Sequence, residues 1–209
     1  MRKIGLYLAL AFLLSGIGSS AVSAQSPTKG RVIIDLYYGY PNLWTATLRT
    51  IVNQGVIPID LKTSSLGPMG GRAEYMVTDH IGLGLDIYYA KSGASFSATG
   101  PDLNGNEATY AYEFTLLRPR FLGRFNFHFG DLERLDPYVG LGLGYNASRI
   151  RIKTDDPIFN QNEFSFPIFL PVAFRLALGT RVMFNNFLGF NVEIGAGGPL
   201  LTTGFTLRI

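Results

Sequence analysis

The chain has 209 residues, of which 47% are hydrophobic, 13% aromatic and only 16% charged, and it contains no cysteine. That composition is too apolar for a disordered chain and low in charge for a surface covered by water. The missing cysteine excludes a disulfide framework and a lipid-modified N-terminal cysteine, while 25 glycines and many short alternating runs favour an all-β chain over a helical bundle.

Met1-Arg2-Lys3 is a basic head, residues 4–14 are an apolar stretch, and Val22-Ser23-Ala24 places small residues before a cut at Gln25. Residues 1–24 therefore read as a secretory signal peptide, leaving residues 25–209 as one barrel domain. Ser15 and Gly16 break the stretch short of the roughly 20 apolar residues that a spanning helix needs. Cleavage removes Arg2 and Lys3 and leaves 16 basic against 15 acidic residues, so the whole-chain pI near 9.2 is no footprint for nucleic acid.

From there the chain alternates. Residues 31–40 set Val32, Ile34, Leu36, Tyr38 and Tyr40 against Arg31, Ile33, Asp35, Tyr37 and Gly39, which is a strand signal. Residues 41–65 form a long connection in which Trp44, Leu48, Ile51 and Val52 recur at helical spacing after Pro41, predicting one short helix. Residues 66–76 are a second strand, and Val77-Thr-Asp-His80 is a turn into a third, Ile81-Gly-Leu-Gly-Leu-Asp-Ile-Tyr-Tyr89. Residues 91–107, rich in Gly, Ser and Asn, read as a polar loop. A fourth strand spans 110–127, a fifth is Pro137-Tyr-Val-Gly-Leu-Gly-Leu-Gly-Tyr145, and residues 153–163 are a second polar loop. Strands over 164–183, 188–196 and 201–209 complete eight. Pro119, Pro167 and Pro171 remove ladder donors, so bulges or strand ends beyond a membrane are expected there.

Short and long connections alternate, and strands near ten residues suit a tilted crossing of a bilayer. The expectation is an all-β, eight-stranded antiparallel up-and-down transmembrane β-barrel with both termini periplasmic. A soluble ligand-carrying barrel would turn its charged parity to water. Here the charges in the strand cores share one parity: Asp35, Arg72, Glu74, Asp86, Arg120, Arg124, Arg175, Arg181, Glu193 and Arg208. The bases among them are all arginine, whose fork bridges carboxylates in a crowded interior, and glycines share their face. An arginine turned to lipid at mid-depth would cost about 2–4 kcal/mol, so these residues are expected to fill the lumen as a charge network. Tyr38, Tyr40, Tyr89, Tyr110, Tyr112, Tyr145, Phe164 and Phe166 are expected in an outer aromatic girdle, and Tyr75, Phe125, Phe127, Tyr138, Phe184, Phe187 and Phe190 in an inner one.

With the signal peptide, the Asp136-Pro-Tyr-Val-Gly-Leu-Gly-Leu-Gly-Tyr145 run, Ala73-Glu-Tyr-Met76 before a tight turn and the alternating last strand, the sequence resembles the outer membrane β-barrel domain family, including its small OmpX-, OmpW- and OmpA-barrel-like members. The resemblance implies a Gram-negative outer membrane location. It also implies outer membrane lipid as surroundings, and barrel assembly machinery and periplasmic chaperones as partners in biogenesis. Leu201, Thr203, Phe205, Leu207 and Ile209 match the family's C-terminal assembly signal, except that Ile209 stands where an aromatic is usual.

No catalytic, cofactor or metal site is expected. Gly82-x-Gly84 and Gly140-x-Gly142 lack the third glycine and the helix of a dinucleotide fingerprint. His80 and His128, read as polar residues of the inner rim, have no cysteine or carboxylate cluster in sequence to complete a metal site. Neither has a serine nearby for the chemistry of a lipid-modifying enzyme. Asp102-Leu-Asn-Gly-Asn-Glu107 opens like a calcium loop, but Glu107 holds the position that usually needs glycine. The sequence thus reads as a structural or interaction protein with surface loops and a side-chain-filled lumen. The alternative is a narrow conduit for small hydrophobic molecules, left open by Leu116 and Leu122 on the inward parity.

Overall fold

The computed structural model describes residues 28–53, 61–129, 134–158, 163–167 and 170–209. The segment read as a signal peptide, residues 1–24, lies outside them. Alternation dictates nearly every element: β1 (Val32–Tyr40), β2 (Lys62–Met76), β3 (Ile81–Pro101), β4 (Glu107–Leu117), β5 (Arg120–His128), β6 (Leu135–Asn146), β7 (Arg149–Thr154), β8 (Glu163–Pro167), β9 (Val172–Met183), β10 (Leu188–Ala196) and β11 (Leu201–Arg208). The helix α1 (Leu43–Asn53) falls in the connection after β1, as its spacing predicts.

Every pairing is antiparallel. The ladder runs β2-β1-β11-β10-β9-β6-β5-β3, and β3 pairs back onto β2, closing a barrel of eight strands. The seam between first and last strands is tight: β1 matches β11 from Ile33↔Arg208 to Tyr40↔Leu201, and Val32 and Ile209 exchange backbone hydrogen bonds of 2.9 and 2.8 Å. At one rim two described turns are short and self-capped. Thr78 Oγ1 accepts from the Ile81 amide at 2.9 Å, and Asn185 Oδ1 accepts from the Leu188 amide at 2.7 Å.

At the opposite rim β2 and β3 run on past the mouth. The upper half of β3 pairs with β4, β4 with β7 and β7 with β8, while residues 62–66 of β2 flank β3 on its other side. These segments form a five-stranded sheet standing above the barrel mouth. Two sequence readings change here. Residues 91–107 are not a loop: Lys91 to Pro101 pair residue for residue with Glu107 to Leu117. Small side chains disguised this strand, whose stability comes from its neighbours instead of its own propensity. The long fourth and sixth strands are each two segments, β4–β5 and β8–β9, and the interruptions fall at Pro119 and between Pro167 and Pro171, where the missing amides are expected to break a ladder.

The outside of the barrel is apolar. Leu36, Leu85, Leu143, Phe174 and Phe205 are each more than half exposed, with Leu143 at 70%. Phe190 and Phe205 meet edge to face on adjacent strands at 6.1 Å. The interior holds the charge. A continuous greasy exterior around a charged core is inverted for water and right for hydrocarbon.

Candidate functional site: a filled lumen beneath a raised sheet

The lumen is organised by two opposite hubs. Glu193, 1% exposed, is one carboxylate among three guanidiniums. Its Oε1 accepts from Arg175 Nη2 at 2.8 Å and Nε at 3.1 Å, and its Oε2 accepts from Arg72 Nη1 and Arg124 Nη2 and, at 3.1 Å, from the Tyr138 hydroxyl. Arg181, also 1% exposed, is one guanidinium among three carboxylates. It donates from Nη2 to Asp35 Oδ2 at 2.9 Å and to Glu74 Oε2 at 2.6 Å, and from Nη1 to Asp136 Oδ2 at 3.1 Å. Arg72 Nε lies 3.5 Å from Asp35 Oδ2 and joins the hubs. Arg124 extends the upper one to Asp86 at 3.1 Å. Charges taken from water are tolerable in such a space only when paired and hydrogen-bonded.

Aromatic rings fill the gaps. Tyr138 is fully buried, with Arg181 4.5 Å from its ring centroid, and Arg72 sits 4.6 Å over the Tyr37 ring. The glycine face now has a reason. A Cβ at Gly179 would strike the Tyr138 ring, one at Gly140 the Arg124 guanidinium, and one at Gly82 the Glu74 carboxylate. A luminal cavity bordered by Tyr37, Asp86, Tyr88, Arg120, Leu122 and Glu193 holds about 10 Å³, room for one water at most. The turn after β10 roofs it, since Arg175 Nη1 donates to the Pro199 carbonyl at 2.7 Å and Arg120 Nη1 to that of Gly197.

Of the residues expected inside, Asp35, Arg72, Glu74, Asp86, Arg124, Arg175, Arg181 and Glu193 meet in these hubs. Arg120 stands apart at the mouth, 5.5 Å from the Tyr88 ring centroid. Arg208 is buried at the opposite end, on β11 beside Ile33. Two titratable partners of Arg181 and Glu74 stand outside that expected set. Asp136 lies one residue before the fifth strand as the sequence bounds it, although it shares parity with Tyr138 and Gly140. His128 was read as a rim residue, yet it is 2% exposed and lies between carboxylates: Nδ1 is 2.6 Å from Asp136 Oδ1 and Nε2 is 2.8 Å from Glu74 Oε1. With a carboxylate on each ring nitrogen, neither nitrogen is left for a serine. The second oxygen of each carboxylate is taken by Arg181.

The raised sheet reverses the barrel's polarity. Register puts Phe96, Tyr112, Phe114, Ile152, Phe164 and Phe166 on the face that continues the inside of the barrel. They line a recess of about 450 Å³ with Thr154. Phe96 stacks on Tyr112 at 5.3 Å and on Phe114 at 5.9 Å. Tyr112 OH donates to Asp156 at 2.6 Å, and that contact raises the phenol above its ordinary range. Tyr112, Phe164 and Phe166 therefore belong to this recess and Tyr138 to the lumen, not to the girdles expected for them. Helix α1 is tied in at its start, where Asn42 Oδ1 accepts from Ser92 Oγ at 3.0 Å and from Arg118 Nη2 at 2.7 Å. At the sheet's tip Asp102 Oδ1 accepts the amides of Asn104 and Asn106, both at 2.8 Å. The carboxylate weighed as a calcium ligand is thus a turn cap.

The family model described as outer membrane protein beta-barrel domain matches residues 9–197. The chain belongs to that family. Solved structures similar to this outer membrane barrel include the N-terminal β-barrel domain of OprF from Pseudomonas aeruginosa, 14% identical over 87% of this chain and 98% of that one, with a TM-score of 0.39. OprG of the same organism is 14% identical over 87% and 97%, with a TM-score of 0.42. Ail, the attachment invasion locus protein of Yersinia pestis, is 10% identical over 87% and 100%, with a TM-score of 0.38. No curated protein matches the chain. For an outer membrane barrel the lipid-facing belt is the exposed Leu85, Leu143 and Phe174 level. In barrels of this kind short turns face the periplasm and extended connections the exterior.

Proposed function

We propose that this outer membrane barrel is an anchored platform: a sealed foot in the membrane that holds a five-stranded sheet outside for interaction with other molecules. The observation that carries this reading is the pairing of a filled lumen with strands that continue well past the mouth. A barrel built only to span has no use for the second feature, and one built to conduct cannot tolerate the first. The role requires no catalysis. It carries with it export through a signal peptide cleaved after Ala24. It also carries delivery by periplasmic chaperones to the assembly machinery, for which the outward Leu201, Phe205 and Leu207 and the exposed Ile209 offer an apolar edge. Reconstitution into planar bilayers tests it. No steady conductance is expected, and a stable open level would overturn the sealed foot.

A second reading is favoured by one observation, the aromatic recess, whose volume is that of a small-molecule site. In it the sheet captures small hydrophobic molecules, and the sealed lumen confines any onward movement to a sideways route. A naphthylamine dye should then brighten on the purified protein and lose most of that signal in Phe96→Ser/Phe114→Ser. Equal signal in both proteins would remove this reading and leave the platform standing.

A further inference from the structure

The inner face of the raised sheet changes character between the aromatic recess and the mouth of the barrel. Register lines up Ser92, Leu116, Ile150 and Phe166 across β3, β4, β7 and β8. Phe166 lines the recess, so this row is its lowest. Two residues beyond Leu116 stands Arg118, whose backbone exchanges hydrogen bonds of 2.9 and 3.3 Å with Ala90 and so keeps the same face. Two further on is Arg120, opposite Tyr88. Each step along the strands is roughly 6.6 Å. Leu116, Ile150 and Arg120 are only half-buried, which leaves surface free along this stripe.

These two arginines differ from those of the lumen, where Arg72, Arg124, Arg175 and Arg181 each meet a carboxylate. Arg118 is 7% exposed, yet its side chain donates only to Asn42 Oδ1 at 2.7 Å, and its Nε is buried with no partner. Arg120 donates to the Gly197 carbonyl, and its Nε is buried and unmatched as well. Among the described residues neither meets a carboxylate. A guanidinium withdrawn from water is costly unless an anion offsets it, and the protein supplies none to this pair.

We propose that the stripe binds a small apolar molecule ending in a carboxylate, its body in the recess and its head on Arg118 and Arg120. This inference rests on the reading of the recess as a small-molecule site and fixes the charge that the molecule carries. Guanidinium edges match the two oxygens of a flat carboxylate, and the apolar wall of Leu116, Ile150 and Phe166 takes the chain that joins head to body. A neutral molecule of the same shape would fill the recess and leave both cations uncompensated.

Competition tests the site: the purified barrel in phosphatidylcholine nanodiscs is loaded with a naphthylamine dye, which decanoate or decanol then displaces, with protein-free discs subtracted. Decanoate should displace the dye from wild type at about one-tenth of the decanol concentration, the margin of one charge-assisted hydrogen bond. In Arg118→Gln/Arg120→Gln the dye should brighten as before and the two competitors should become equal. Arg120→Gln alone leaves the Asn42 contact in place and should lose part of the preference, which keeps the test decisive if the double variant does not fold. Equal displacement from wild type would overturn the proposal and leave the recess as a small-molecule site. A preference that survives in the variants would overturn it too, by placing the head elsewhere. No brightening on wild type would remove the reading of the recess itself, and this inference with it. Stronger displacement by decyl phosphate than by decanoate would overturn the carboxylate in favour of a phosphate head.

Discussion

At Glu193 three arginines depend on one side chain. Removing a single partner from a buried charge network leaves the rest uncompensated, at a cost of about 3–5 kcal/mol. Glu193→Ala should therefore lower the unfolding free energy read from urea titration in detergent micelles by an amount of that size, with a matching fall in the midpoint, and Glu193→Gln by less. A change near zero would mean that water reaches Arg72, Arg124 and Arg175. Gly179 is the complementary case. There the side chain that matters is absent, and Gly179→Ala drives a methyl into the rigid Tyr138 ring. Overpacking of that kind costs about 1–3 kcal/mol, and the same midpoint measurement reads it. The parity rule made most of these residues legible in the sequence, because charge on a lipid face is too costly to survive. It did not reveal which acid meets which base. Arg181 reaches Asp35 on β1 and Glu74 on β2 as well as Asp136 on β6, and such partners are set by barrel closure, not by spacing along a strand. Asp136 and His128 are not legible in this way because each sits at the end of its strand, where too few neighbours remain to establish alternation.

The raised sheet was the least legible of the elements. Lys91-Ser-Gly-Ala-Ser-Phe-Ser-Ala-Thr-Gly has the composition of a loop, and only pairing with β4 on one side and β2 on the other makes it a strand. The periodicity was present, with Ala94, Phe96 and Ala98 on one face, but alanine and serine differ too little to mark it. The hairpin tip rests on Asp102, whose carboxyl the amides of Asn106 and Asn104 hold below the usual range. The sign follows from that depression. The cap is in force above the ordinary carboxylate value of about 3.9 and is lost as pH falls through the lower folded value. Relative to the intrinsic rate at each pH, the amides of Asn104 and Asn106 should stay protected against exchange down to about pH 4 and lose that protection below it. Asp102→Ala should lack that protection at every pH. Indifference of these amides to the substitution would remove Asp102 from the turn.

For the whole molecule, barrel and raised sheet are separable by construction. No member of either luminal hub comes from β4, β7, β8 or the upper part of β3. Replacing residues 94–114 by a two-residue turn should therefore leave the barrel able to fold, with the heat-dependent shift in gel mobility that marks a closed barrel. Loss of that shift would show that the sheet helps to build its own base. The seam between β1 and β11 has a consequence for how the molecule enters the bilayer. Asp35 meets Arg181 and Thr206 across 146 and 171 positions of chain. None of those partners can be in place while the cylinder is still an open curl. A partly threaded sheet would hold bare carboxylates and guanidiniums against acyl chains, so hydrocarbon itself rejects every intermediate except one already rolled shut or shielded by another protein.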